Sequence, residues 1–591
     1  MIDDLHDRRL ARSATGLLAE FNRAEVLTAA DVHVALRTGV LTGVTDDHVL
    51  LAAALTVRAV RLGAVCLDLA TAAGTVLESL DEPVELPWPE VGAWVAAVAN
   101  SGLVEQEVLR LEGTVAYLDR YWREERQVCA DLLARLDRPR PDVDDAWLAA
   151  ALDRVFAGAG DFTEQRAAVE SAVRGTTTVL TGGPGTGKTT TVARLLAVVA
   201  EQHETSTGRP PRIAMAAPTA KAAARLQESV GREAATLGAA DQARIASLEA
   251  STLHRLLGWT PNPTRFRHDR GNRLPHDVVV VDETSMVSLT QMARLLEAVR
   301  PDARLVLVGD PDQLASIEAG AVLADVVEGL RDHPAHPVAV LTTVHRFADV
   351  GGIARLAQAL RRGDADAVVD ALTTDDDSVR LVDPTDEAEV DAVVDDVVGR
   401  AAAMHEAAMA GDAVAALDAL DGHRLLCAHR EGRFGVRGWN LRVERGLADA
   451  LGTSHHGDWY VGRPVLVTAN NQTLEVWNGD VGVTLRRPDG RLEVALASVG
   501  GPRRMATTRL PDTETMHATT VHKAQGSQAR VVTVVMPPDE SALLTRELFY
   551  TAVTRAETQV RVLGTPASVR AAVERRAVRA SGLADRLRTG G

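Results

Sequence analysis

Residues 182–189 read Gly182-Gly183-Pro184-Gly185-Thr186-Gly187-Lys188-Thr189, a complete G-x-x-x-x-G-K-T. The stretch follows a strand-like run at 176–181 and opens a helical run at 190–200. Strand, glycine-rich turn and helix in that order curl backbone N–H groups around phosphates at the positive end of a helix. Glycine is required because the turn needs conformations that a Cβ disfavours. The pattern therefore commits the chain to an α/β fold with a parallel sheet and a nucleoside triphosphate site. Gly182, Gly183, Pro184, Gly185, Thr186, Gly187 and Thr190 frame that site. Lys188 reaches the β- and γ-phosphates, and the Thr189 hydroxyl ligates Mg²⁺.

A phosphate cradle needs a carboxylate to hold its metal. Asp282 ends a run of four valines at 278–281, which places it at the C-terminal edge of a buried strand, where open α/β sheets bind ligands. Glu283 follows at once and is positioned to accept a proton from an attacking water. A surface Asp-Glu pair is the ordinary alternative, and the valines before it argue against that.

Further short apolar runs at 213–217 and 305–308, then at 425–428, 531–535 and 560–563, have the texture of buried parallel strands. They divide the chain into a helical region at 1–150, a first sheet lobe at 151–340 and a second at 341–454 with 516–591. Residues 455–515 carry Asn478-Gly479-Asp480 and Pro488-Asp489-Gly490 turns and read as a β-rich insertion. In the helical region, the stretches 49–73 and 116–136 read as amphipathic helices, with Tyr117, Tyr121 and Trp122 as a packed stripe.

Composition narrows the function classes. The acidic, non-apolar start and the lack of a long apolar run predict neither export nor a membrane span, and the location expected is cytoplasmic. Cys66, Cys129 and Cys427 are far apart, which excludes a sequence-evident zinc site. The formal net charge is -17, too acidic overall for a freestanding nucleic-acid coat. Sixteen acids against two arginines at 364–418 supply most of that charge, so a basic groove elsewhere remains open. Solvated helix faces are the preferred reading of this acidic segment. Lysine occurs only at 188, 221 and 523 among 64 basic residues. A chain that otherwise uses arginine should keep lysine where a compact ammonium is needed.

More segments share the texture of the phosphate loop. Gly309-Asp310-Pro311-Asp312-Gln313-Leu314 and Ala217-Pro218-Thr219-Ala220-Lys221 each follow a strand. Residues 517–527 carry Thr519, Thr520, His522 and Lys523, and 548–556 carry Arg555. Taken in order, these resemble the motifs of superfamily 1 helicases. Gln165 resembles the adenine-reading Q motif, 182–189 motif I, 217–223 motif Ia and 251–255 the DNA-contact motif after it. Asp282-Glu283 resembles motif II, 309–314 motif III, Val344-His345-Arg346-Phe347 motif IV, 517–527 motif V and 548–556 motif VI. Within that superfamily the chain is similar to the RecD family, the alpha subunits of exodeoxyribonuclease V. The likeness rests on Leu426-Cys427-Ala428-His429-Arg430-Glu431-Gly432, on Gly462-Arg463-Pro464-Val465 with Asn478-Gly479-Asp480, and on Tyr117-Leu118-Asp119-Arg120 before the core.

The resemblance implies two RecA-like lobes around ATP, an SH3-like insertion and an N-terminal partner-binding domain. It implies 5′-to-3′ movement on single-stranded DNA, and RecB-like and RecC-like partners in double-strand-break repair. Lys188, Glu283, Gln313, Arg346 and Arg555 would serve catalysis, with Thr189 and Asp282 on Mg²⁺. Pro218, Thr219, Thr252, His254, Thr519 and His522 would contact DNA phosphates, with Trp259 or Phe347 able to stack on bases. Gln528 departs from the acidic residue expected after Gly526-Ser527. The alternative is a stand-alone RecD-like helicase. A restriction-type nuclease centre is not expected, because the three lysines fall in motor segments.

Overall fold

Four β-sheets organise the described part of the chain. The computed structural model describes residues 7–590 apart from 79–83, 159–160, 260–265, 345–350, 375, 453–456, 472, 499–500, 540 and 578. The first lobe is a six-stranded parallel sheet. Its order is Ala250–Thr252, Ile213–Ala217, Val278–Val281, Arg304–Gly309, Thr177–Gly182, Val338–Leu341. Side chains alternate across a strand, so one face packs Val279, Val281, Leu305 and Leu307. The other packs Val278, Val280, Val306 and Val308. Both faces are covered by helices, which is why the central runs 278–281 and 305–308 are apolar throughout.

The second lobe is a five-stranded parallel sheet ordered Val379–Val382, Ala556–Leu563, Ala529–Val535, His423–Cys427, Ala518–Thr520. Between its second and third strands in chain order lies an antiparallel five-stranded sheet, ordered Arg503–Ala506, Leu492–Leu496, Val481–Arg486, Pro464–Val467, Thr513–Thr515. Its Pro488-Asp489-Gly490 turn closes with Gly490 at φ 80°, a conformation glycine adopts without strain. The α/β class expected from sequence is the one observed.

The N-terminal region differs from the helical expectation. The helix expected at 49–73 is Asp47–Arg61, and the chain then enters a strand, Cys66–Asp68. Residues 115–118 pair as a strand before the helix Asp119–Leu136 begins. With Leu109–Glu112 they make a three-stranded antiparallel sheet. The cause is tertiary: Gly63 turns at φ 93°, and the Val65 N–H is captured by the Ala580 carbonyl at 2.7 Å.

That carbonyl belongs to a C-terminal segment expected in the second lobe. The helix Leu583–Thr589 instead docks on the first lobe, where Leu583 and Leu587, one turn apart, enter the core beside Val322 and Val326. Glu125, fully buried, accepts from Ser581 Oγ, Gly582 N and Arg586 Nε at 2.9–3.0 Å. The packed stripe is observed here too: Tyr117 is buried in this core, with Tyr121 and Trp122 against it.

The acidic segment is occupied locally. Asp364, Asp386 and Asp412 cap helices. Asp366, Asp376, Asp391, Asp396 and Asp418 pair with Arg570, Arg355, Arg442, Arg561 and Arg530. Among the described residues no helix is long and apolar enough to cross a membrane.

Candidate functional site

The strand Thr177–Gly182 ends in the glycine loop, and the helix Lys188–Thr207 leaves it. Gly185 and Gly187 hold φ of 77° and 84°. Lys188 Nζ spans the loop, donating to the carbonyls of Gly182 at 2.6 Å and Gly183 at 2.9 Å. Thr190 Oγ1 donates to Glu233 Oε1 at 2.9 Å. Gln165 packs against the glycine loop. It is 1% exposed and donates its amide to the Thr186 carbonyl at 3.0 Å, so it braces the loop from behind.

Asp282 follows its strand directly, and its Oδ1 accepts from the Glu283 N–H at 2.8 Å. Burial first, and then the adjacent Glu283 carboxylate, push the Asp282 carboxyl above its ordinary range. Two carboxylates in such surroundings suit a bound cation, which would relieve their repulsion, and Thr189 lines the same cleft. Glu283 sits at φ 50°, a left-handed conformation costly for a residue with a Cβ. It turns the chain sharply and sets both carboxylates on the cleft wall.

The cleft, about 390 Å³, is lined by Lys188, Thr189, Asp282, Glu283 and Gln313 of the first lobe, and by Gln528 and Arg555 of the second. Arg555 Nη2 donates to Gln313 Oε1 at 2.6 Å. The other end of that amide donates to Asp310 Oδ2 at 3.1 Å, which also accepts from Tyr550 Oη at 2.9 Å. Leu314 N donates to Thr551 Oγ1 and the Leu314 carbonyl accepts from Gln525 Nε2, both at 2.8 Å. Arg361 Nε reaches Asp312 at 2.7 Å. Gly183 faces Tyr550 so closely that a Cβ there would lie 3.1 Å from the phenol oxygen. Segments 309–314 and 548–556, far apart in sequence, thus form one seam. Arg346 and Phe347 lie outside the described residues.

Arg225 was not singled out from sequence. It lines the cleft and donates through Nη2 to Gln528 Oε1, so the residue that departs from the acidic pattern meets an arginine across the seam. The available signal was spacing, because Arg225 stands four residues after Lys221 on the helix Ala220–Ala234 and shares its face. Lys221 lies 3.9 Å from Asp421 of the second lobe, and burial pushes its ammonium down to about 8.

The expected DNA contacts gather at the C-terminal strand ends. Pro218 and Thr219 follow Ile213–Ala217, and Thr219 Oγ1 caps the next helix by accepting from Ala222 N at 3.2 Å. Thr252 caps Leu253–Leu257 by accepting from Arg255 N, and the His254 ring lies 5.8 Å from that of Phe266. Trp259 is exposed. His522 is half-buried, and burial and Arg579 push its imidazole down. Thr519 differs: it is 4% exposed, with Oγ1 enclosed in the second lobe rather than offered to solvent.

Two parallel-sheet lobes that share one phosphate-loop cleft define an ATP-binding helicase motor of superfamily 1. Family models match at residues 162–383 (AAA domain), 515–563 (UvrD-like helicase C-terminal domain) and 23–114 (RecBCD enzyme subunit RecD, N-terminal domain). The RecBCD enzyme subunit RecD of Mycobacterium tuberculosis is 55% identical over 590 residues, 99% of either chain. That of Mycolicibacterium smegmatis is 56% identical over 573 residues, 96% of this chain and 99% of the relative. The ATP-dependent RecD2 DNA helicase of Deinococcus radiodurans is 31% identical over 487 residues, 81% of this chain but 59% of that one. The chain belongs to the RecD family.

Proposed function

We propose that the chain is a 5′-to-3′ motor on single-stranded DNA, driven by ATP and Mg²⁺, within a complex with RecB-like and RecC-like subunits. The observation that carries the reading is the Arg555–Gln313 contact, which brings a second-lobe guanidinium into the cleft of the phosphate loop. Lys188 leaves the loop carbonyls for the β- and γ-phosphates. Thr189 and Asp282 are the residues to hold Mg²⁺, which supplies charge neutralisation at the phosphates when bound. Glu283 accepts the proton of the attacking water, and Gln313 orients that water. Arg555, joined by Arg346 on the family pattern, stabilises the charge that develops on the transferred phosphoryl group. Loss of that group removes an anion both lobes grip, so the seam loosens and the DNA contacts exchange. Thr219, Thr252, His254 and His522 are the contacts proposed on DNA, with Pro218 shaping the turn.

Near-complete coverage of the RecBCD subunits, against 59% of the RecD2 helicase, favours the complex subunit over the stand-alone alternative. Strand displacement on duplexes with a 5′ or a 3′ tail tests the polarity. Unwinding restricted to 3′ tails would overturn it. Native mass after co-expression with RecB and RecC tests the partnership, and an uncomplexed chain would favour the stand-alone reading. A cytoplasmic location follows from the same reading.

A further inference from the structure

The nucleotide cleft lies at the C-terminal ends of the first-lobe strands. At their N-terminal ends lies a second cavity of about 330 Å³, lined among others by Arg304, His203, Gln202, Asp277, Pro141 and Asp142. Arg304 begins its strand and is only 9% exposed. Its Nη2 donates to the Val173 carbonyl at 2.9 Å and to Gln202 Oε1 at a long 3.3 Å. Its Nη1 has no hydrogen-bond partner, and Arg304 has no carboxylate partner among the described residues. Burial alone pushes its guanidinium down to about 10.

The neighbouring charges do not answer this need. Asp277 is engaged by Arg209 at 3.0 Å, Arg300 at 2.9 Å and Arg212 at 3.7 Å, and those contacts hold its carboxyl well below the ordinary range. Asp302 pairs with Arg300 at 3.2 Å. His203 Nε2, 4.0 Å from Asp277, is a second buried atom without a hydrogen-bond partner on the same cavity. A buried cation with an open N–H edge is costly until an anion meets it, and a planar guanidinium suits two oxygens of one group.

We propose that this cavity binds a small phosphate-type oxyanion between Arg304 and His203, at the edge of the first sheet opposite the nucleotide cleft. The ligand takes the Arg304 edge by displacing the weakly held Gln202 Oε1. Once seated, it packs against Pro141 and fastens the link between the N-terminal region and the first lobe.

The test is calorimetric titration of inorganic phosphate into the full chain carrying Lys188→Ala, which disables the phosphate loop, with and without saturating ADP. The expected result is one phosphate per chain, indifferent to ADP and weakened at least about tenfold by Arg304→Met. If Arg304→Met does not fold, His203→Leu, at a more exposed position, decides by the same criterion. No binding at millimolar phosphate, displacement by ADP, or unchanged affinity in the deciding variant overturns the proposal.

Discussion

Arg555 Nη2 of the second lobe lies 2.6 Å from Gln313 Oε1 of the first, and both side chains are less than a tenth exposed. Asp310 fixes the orientation of that amide by accepting its N–H, and Tyr550 fixes Asp310 in turn. Such a chain should carry a shift at the phosphates to the second lobe. Arg555→Ala should lower DNA-stimulated turnover about 10³-fold or more. Gln313→Ala should fall short of that, and the double variant should lose little beyond Arg555→Ala. Steady-state ATPase rates of the three variants measure the coupling, and strictly additive losses would show that the contact is incidental.

Lys188→Ala should reduce hydrolysis by at least about 10²–10³ with the fold intact, because its ammonium touches loop carbonyls and fills no core. Lys188→Arg should fail nearly as badly, since a forked guanidinium cannot occupy the point between phosphate oxygens. Circular dichroism alongside turnover checks both, and an active arginine variant would refute the steric argument.

Glu283→Gln keeps the shape and the strained turn but cannot take a proton. Nucleotide affinity should persist while turnover drops about 10²–10⁴-fold. Fluorescent nucleotide titration beside the hydrolysis assay separates the two. Affinity lost as fully as in Lys188→Ala would make Glu283 a phosphate or metal holder instead.

Arg586→Ala takes the paired cation from the fully buried Glu125 carboxylate and leaves it only Ser581 and Gly582 as donors. The cost should be about 3–5 kcal/mol, with proteolysis appearing first at the N-terminal region. Glu125→Gln combined with Arg586→Met should recover part of it. Denaturant midpoints and limited proteolysis record both effects.

Asp325 supplies a pH dependence. Burial first, with help from Glu125 and Glu328, raises its carboxyl to about 7, and its Oδ2 has no hydrogen-bond partner. The folded chain therefore holds a proton that the unfolded chain has released, and this contribution is lost as pH rises from about 4 through 7. Asp325→Asn should be more stable than the parent at pH 8 by roughly 1–3 kcal/mol, and the gap should close toward pH 4. A gap that widens on acidification would refute the assignment.

Much of this was legible from residues alone, for a physical reason. Strands buried on both faces must be apolar, so 278–281 and 305–308 announce themselves, and phosphate chemistry fixes the loop between them. The edge strands Val338–Leu341 and Ala250–Thr252 were not read, because half-covered residues carry a weaker pattern. Long-range capture was invisible as well. Nothing near Val65 says that the Ala580 carbonyl will end its helix, and nothing near Leu583 says which lobe that helix will join. That the Gln165 amide would meet the Thr186 carbonyl was likewise not written in its neighbourhood. Arg225 escaped because a lone arginine on a helix is unremarkable until Gln528 arrives opposite.

The return of residues 579–589 to the first lobe gives the second lobe two attachments rather than one. The chain leaves the first lobe after Thr343, whose N–H is held by Glu164, and comes back at Arg579, which donates to the carbonyls of Ser316 and Glu318 just past segment 309–314. A body tied at two separated points can swing about the line between them but cannot twist freely or drift away. Opening of the cleft should thereby be confined to a door-like motion, and the returning tie meets the first lobe just past segment 309–314.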